Sequence, residues 1–288
     1  MNLPPVGDAA SRYIELLKGC LTRELFIDEE LTEVSGWPRT VAIGKPREVW
    51  AELDRMGWKI VKPTSRQVAR LRGKDIPPHA ETMIGRKRMD NLHELVEAVL
   101  DEGVPGDLVE TGVWRGGASI LMRAILVAHG AVDRRVWVCD SFRGLPEPDV
   151  GQFPVDASLK LDPDAKRERS MKTVLAVSLD QVKANFEHYG LLDEGVCFLE
   201  GWFRDTLPDA PIDQIAVLRV DGDLYESTRD ALVHLEPKVS AGGYVIIDDY
   251  NGLEACRQAV DEYRSEQGIV DQIHDVDWTG VWWKKSAR

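Results

Sequence analysis

Four carboxylates and one glycine-rich stretch are the residues of this sequence best suited to chemistry. Asp221 and Asp223 follow the apolar run Ile215 to Val220, and Asp248-Asp249 follow Tyr244 to Ile247. Runs of this kind read as consecutive strands. Three carboxylates crowded at one sheet edge repel one another and resist ionising together. A hard divalent cation such as Mg2+ removes that penalty, since it takes oxygen ligands from a few carboxylates, water and substrate. Asp221, Asp248 and Asp249 are therefore the candidate metal ligands. Asp223 is a fourth acid whose direction the alternation of side chains leaves open. The plainer alternative is that Asp221 caps a turn and Asp248-Asp249 cap the next helix.

The glycine-rich stretch is Leu108-Val109-Glu110-Thr111-Gly112-Val113-Trp114-Arg115-Gly116-Gly117-Ala118-Ser119. An apolar run ends in an acid, passes three glycines and opens into Ile120-Leu121-Met122, which reads as strand, tight turn and helix. The spacing of Gly112, Gly116 and Gly117 does not match the dinucleotide fingerprint, and no Gly-Lys-Ser/Thr follows. A cofactor without phosphates fits better than a pyrophosphate, and S-adenosylmethionine is one. Glu110, Thr111, Gly112, Gly116 and Ser119 are its candidate loop contacts. Asp140 and Ser141, at the end of the next strand, are placed for the ribose hydroxyls, unless Asp140 is simply a turn acid. Gly201, Trp202 and Phe203 end the third strand, where the aromatics either cover an adenine or pack in the core. Met83, beside Ile84, is positioned to close over the cofactor. Tyr225 and Tyr250 either line the acceptor pocket or pack.

Elements must bring these residues together. Strands are expected at 107–113, 135–139, 196–200, 215–220 and 244–247, alternating with helices. Two of those helices open on capping boxes, Ser178 with Gln181 and Ser227 with Asp230. That pattern gives an α/β fold with a mostly parallel sheet covered on both faces, and a tail hairpin at 270–285 adds an antiparallel edge strand. In such sheets ligands bind at the C-terminal ends of the strands, where every candidate stands. Residues 143–175 are too long for an ordinary connection and are expected to fold over the acceptor as a lid. Residues 1–80 read as a mainly helical N-terminal accessory region, and 81–288 as the main domain.

Composition narrows the function. Of 288 residues, 43% are hydrophobic and 30% charged, ordinary values for a soluble protein. A net charge of -13 disfavours general affinity for nucleic acid or anionic membranes. The four cysteines are far apart, and no zinc spacing appears among the six histidines. Without a signal peptide or a long apolar span, the cytoplasm is the default location.

Several motifs resemble the macrocin O-methyltransferase family. They are Glu-Thr-Gly-Val-Trp-Arg-Gly-Gly-Ala at 110–118, Arg-Val-Asp-Gly-Asp-Leu-Tyr-Glu-Ser-Thr at 219–228 and Gly-Gly-Tyr-Val-Ile-Ile-Asp-Asp-Tyr at 242–250. Arg12 to Lys18, Thr82-Met83-Ile84-Gly85 and Trp278-Thr279-Gly280-Val281 are also similar. The likeness covers roughly 11–30 and 80–285, and departs at 33–76, a possible insertion. It implies a Rossmann-like, seven-stranded methyltransferase using S-adenosylmethionine and Mg2+ on a sugar hydroxyl of a glycosylated antibiotic. It also implies metal ligation by Asp221, Asp248 and Asp249, a general-base role at Asp221 and a homo-oligomer. The rivals are a catechol-type Mg2+-dependent O-methyltransferase, a nicotinamide oxidoreductase disfavoured by the glycine spacing, and a non-enzymatic scaffold, which would not need three acids at one edge.

Overall fold

The computed structural model describes residues 8–29, 31–33, 46–59, 61–63, 67–159 and 174–287. Parts of the 33–76 segment and of the expected lid therefore lie outside the described residues.

The apolar runs form the expected strands. In chain order, β1 (Leu31–Glu33) and β2 (Val61–Pro63) make a two-stranded antiparallel ribbon. The main sheet comprises β3 (Asp107–Thr111), β4 (Val136–Asp140), β5 (Val196–Glu200), β6 (Ile215–Val220), β7 (Val239–Ile247), β8 (His274–Asp275) and β9 (Val281–Lys284). Their order is β5-β4-β3-β6-β7-β9-β8. The first five run parallel, and β9 pairs antiparallel with both β7 and β8. This is the Rossmann-like methyltransferase sheet implied by the resemblance, and the tail hairpin closes one side. All six residues of β6 are buried, as a strand covered on both faces requires.

Helices α1 (Ala9–Leu21), α2 (Pro46–Arg55), α3 (Gln67–Leu71), α4 (Gly85–Asp101) and α5 (Gly117–Ala128) come from the first half of the chain. The second half supplies α6 (Leu179–His188), α7 (Phe203–Thr206), α8 (Tyr225–Leu235) and α9 (Glu254–Glu266). Among the described residues, no helix is long and apolar enough to cross a membrane. One apolar layer joins Ile14, Leu17 and Leu21 of α1 to Met89, Leu92 and Val96 of α4 and Ile120 and Leu121 of α5. So the first helix shares the core of the main sheet. The opposite layer joins Ala231 and Leu232 of α8 to Val260 and Tyr263 of α9 and Trp283 of β9.

The caps follow sequence in one case and not in the other. Ser178 Oγ accepts from Gln181 N at 3.3 Å, as its capping box predicts. The box expected at Ser227 and Asp230 does not form. Helix α8 starts three residues earlier, with Leu224 at the N-cap and no local side-chain cap.

Candidate active site

Strand register places the site. Thr111 pairs level with Cys139 on one side and Val220 on the other, and Val220 pairs level with Ile247. The residues that follow, Gly112, Asp140, Asp221 and Asp248, thus emerge side by side at the C-terminal edge. A cleft of about 520 Å³ opens there. Its wall includes Met83, Glu110, Gly112, Asp140, Ser141, Gly201, Trp202 and Phe203. It also includes all four acids, Asp221, Asp223, Asp248 and Asp249.

Three loops at this edge hold their backbones under strain. Among the described residues, four non-glycines have positive φ, and three of them stand here: Trp114 at 49°, Phe142 at 55° and Asp223 at 56°. Such conformations persist only where the surroundings over-determine them, and they cluster at functional sites. Sequence reasoning passed over this signal because none of the three residue types announces it.

The glycine loop is built for close approach. Gly112 has φ 83°, and a Cβ there would lie 1.8 Å from the Asp221 carbonyl oxygen. The glycine therefore lets the β3 loop lie against the acid loop after β6. Gly116 (φ 85°) opens α5, where a Cβ would press on Val182. Thr111 and Ser119 are fully buried. Thr111, Gly116 and Ser119 lie behind the wall, and Ser119 Oγ donates to Glu110. Asp140 bridges two turns: its Oδ2 accepts from Val113 N at 2.8 Å and its Oδ1 from Phe142 N at 2.7 Å. Burial raises its pKa against those amides. Ser141 Oγ donates to Gly144 O at 2.9 Å.

Beneath the acids lies a charge network around an arginine the sequence reading did not weigh. Arg219, 2% exposed, sits in the apolar run of β6. It donates to Glu110 Oε1 at 2.6 Å, to Asp221 Oδ2 at 3.0 Å and to Asp248 Oδ1. Arg88 of α4 donates to Asp248 Oδ2 and, at 3.1 Å, to Asp277 in the β8–β9 turn. Two guanidiniums thus hold Asp248, and despite its burial they keep its carboxyl below the ordinary carboxylate range. Burial pushes Glu110 up to about 7, the nearby Arg219 opposing the rise.

The other three acids converge. One carboxylate oxygen from each of Asp221, Asp223 and Asp249 lies within 4.8 Å of the other two. Burial and mutual repulsion raise Asp221 to about 6 and Asp223 to about 7, and Asp249 is also raised. Asp249 Oδ2 is buried without a hydrogen-bond partner. Crowded oxygens, raised pKa values and one orphaned acceptor are what a cation-binding donor set shows without its ion, so these residues fit a hard divalent metal. The trio shares Asp221 and Asp249 with the sequence reading. It brings in Asp223, while Asp248 faces the two arginines.

Neither tyrosine is in the cleft wall. Tyr225 Oη donates to Glu262 at 2.5 Å and Tyr250 Oη to Asp261 at 2.7 Å, both toward α9.

Comparisons with known proteins place relatives beside this chain. The family model for Macrocin-O-methyltransferase (TylF) matches residues 10–285. A Streptomyces olivaceus protein, 8-demethyl-8-(2,3-dimethoxy-alpha-L-rhamnosyl)-tetracenomycin-C 4'-O-methyltransferase, is 58% identical over 218 residues, 76% of this chain and 80% of its own. Demethyldecarbamoylnovobiocin O-methyltransferase of Streptomyces niveus is 55% identical over 223 residues, 77% of this chain and 82% of its own. The solved structure of the O-methyltransferase NovP superposes with a TM-score of 0.80 at 45% identity, covering 96% of this chain and all (100%) of that one.

Proposed function

The chain belongs to the macrocin O-methyltransferase family, and on that premise we propose that this O-methyltransferase methylates a deoxysugar hydroxyl on a glycosylated natural product, assisted by Mg2+. The observation that carries the reading is the meeting, in one cleft, of the glycine loop with the trio Asp221, Asp223 and Asp249. The names of the relatives support the sugar acceptor.

S-adenosylmethionine brings a methyl already activated on a sulfonium, so the chain has to supply orientation and a proton acceptor. Gly112 and Glu110 with Asp140, Ser141, Gly201, Trp202, Phe203 and Met83 form its side of the cleft. Thr111, Gly116 and Ser119 act from behind, as the backbone and the buried hydrogen bond that hold Glu110 and the start of α5. Asp221 and Asp249 would hold Mg2+, with Asp223 as the third donor in the trio and Asp248 as the third that the sequence reading names. The ion would neutralise the crowded acids and lower the pKa of an acceptor hydroxyl. The proton goes to a carboxylate oxygen of the trio. Asp221 is the acceptor that the family likeness suggests, and Asp223 stands beside it in the same trio. Asp221→Asn and Asp223→Asn, each assayed for turnover and for Mg2+ affinity, separate the roles: a residue that only holds the ion recovers its turnover at saturating Mg2+, whereas loss of the base is not rescued by added Mg2+.

Mass spectrometry of demethylated antibiotic glycosides and catechols, each incubated with the protein, S-adenosylmethionine and Mg2+, tests the acceptor class. Methylated glycosides support the reading. Methylated catechols alongside untouched glycosides replace it with the catechol-type activity. We also propose that the enzyme works in the cytoplasm as a homo-oligomer, with neither nucleic acid nor membrane as partner; size-exclusion chromatography with light scattering tests the assembly.

A further inference from the structure

Helix α8 begins directly after Asp221-Gly222-Asp223 and has no cap of its own. An uncapped helix start leaves amide donors unsatisfied. Here they are met from far back in the chain. Asp156 Oδ1 accepts from Tyr225 N at 2.7 Å, and Oδ2 accepts from Glu226 N at 3.5 Å. Asp156 is 0% exposed, so its carboxylate is committed to these amides. The Phe153 ring packs on the Tyr225 ring, with centroids 5.4 Å apart.

The segment that carries Asp156 starts at the other half of the site. Ser141, next to Asp140, bonds to Gly144 O, and Gly144, Leu145 and Pro146 line the cleft. One stretch of chain thus runs from the turn at Asp140 to the start of α8. What it secures there is the turn that presents Asp223. Leu224 N donates to Gly222 O at 2.6 Å, and Thr228 N donates to Leu224 O at 3.0 Å. A Cβ on Gly222 would lie 3.0 Å from Thr228 N. Asp223 keeps its left-handed backbone only while this first turn stays fixed.

We propose that Asp156 is a positioning residue for methyl transfer: its buried carboxylate caps α8 from the 144–159 segment and so holds the Gly222–Leu224 turn that sets Asp223 among the other acids. An anion at a helix N-terminus also gains from the helix dipole, which favours aspartate over a neutral side chain at this position. When the cap is absent the first turn of α8 frays, Asp223 relaxes toward ordinary φ, and the acid cluster opens. The cofactor side keeps its own bonds and is unaffected. The proposal rests on the methyl-transfer reading above.

The test compares wild type, Asp156→Asn and Asp156→Ala. Each is assayed with the glycoside that wild type methylates, by calorimetry with S-adenosylhomocysteine, and by hydrogen exchange in the presence of S-adenosylhomocysteine and Mg2+. Loss of an N-cap is expected to reduce kcat about fivefold in Asp156→Ala and to speed exchange across 221–228 by a similar factor. S-adenosylhomocysteine affinity stays within about twofold, and Asp156→Asn, which keeps one acceptor oxygen, recovers most of both losses. Unchanged exchange at 221–228 in Asp156→Ala overturns the proposal. So does a parallel fall of kcat and S-adenosylhomocysteine affinity in both variants, which marks a general structural role. If Asp156→Ala does not fold, Asp156→Ser, whose shorter side chain cannot span both amides, takes its place, and exchange no faster than wild type in it overturns the proposal. If wild type methylates no glycoside, the acceptor reading fails by itself, and exchange at 221–228 still decides the role of Asp156.

Discussion

With no metal bound, the stability of this protein should depend on pH in a defined direction. A carboxyl whose folded pKa lies above its unfolded value binds more protons folded than unfolded, so stability falls as pH climbs between the two. Asp221 rises from 3.8 to about 6 and Asp223 from 3.8 to about 7. These acids should therefore contribute most to the stability of the metal-free protein near pH 4, lose that contribution up to about pH 7, and add no further change above. The three acids titrate as a unit, so a single raised step is counted. A rise from 3.8 to about 6 corresponds to about 3 kcal/mol. Because 24% of the Asp221 side chain is exposed, solvent screens part of this, leaving roughly 2 kcal/mol. Mg2+ at about thirty times its Kd should add a similar amount above pH 7 and almost none at pH 5, where protons occupy the acids. For a domain of this size the increment is about 4 °C in Tm. Scanning calorimetry from pH 5 to 8, with Mg2+ or with chelator, measures it. Asp249→Asn adds a signature of opposite sign: at pH 8 without metal it should melt above wild type, because one repelling charge is gone, and its Mg2+ increment should vanish. A Mg2+ increment independent of pH, or one retained by Asp249→Asn, would refute the placement of the metal among these acids.

Other substitutions test the rest of the site. Arg219→Met removes the cation shared by Glu110, Asp221 and Asp248 and should cost about 3–5 kcal/mol in urea unfolding, with a smaller loss at pH 5 than at pH 8. Equal losses at both pH values would mean that Arg219 acts through packing alone. Gly112→Ala puts a Cβ on the Asp221 carbonyl and should cost roughly 3 kcal/mol while abolishing S-adenosylhomocysteine binding in calorimetry. Tyr225→Phe and Tyr250→Phe remove hydroxyls bonded to Glu262 and Asp261, and should leave the acceptor KM within about twofold while costing about 1 kcal/mol in unfolding. A large rise in acceptor KM would return those tyrosines to the pocket.

Much of the architecture was legible because buried strands and their turns leave local marks. The runs ending at Thr111, Asp140, Glu200, Val220 and Ile247 identified themselves by hydrophobicity, and the acids and glycines after them identified the active edge. Partnership between distant residues left no such mark. The cap of α8 was sought at Ser227 and Asp230 because a capping box is local, yet the acceptor is Asp156. For Tyr225 and Tyr250 the sequence leaves pocket and packing both open, and their hydroxyls bond to α9, whose position no local pattern gives. The direction of Asp223 depends on a positive φ that sequence does not display. Arg219 did carry a usable signal. A charged residue between Leu218 and Val220 in a fully apolar run must find buried acids, and the loops on either side were already known to hold them.

The position of β9 between β7 and β8 bears on how the chain is made. Until β9 is synthesised, the outer edge of β7, with Val245, Ile246 and Ile247, has no partner. Roughly thirty residues separate the two strands, which at about 5–20 residues per second is some 2–6 s of translation. During that interval a long apolar edge strand is open to pairing with another nascent chain. Trp283, fully buried in the finished sheet, has not yet arrived to cover it. The turn that brings Asp277 onto Arg88 arrives in the same stretch of chain, so the charge network under the acids is completed only once that turn has been made. Slow codons or a chaperone acting in that window would be expected to change soluble yield.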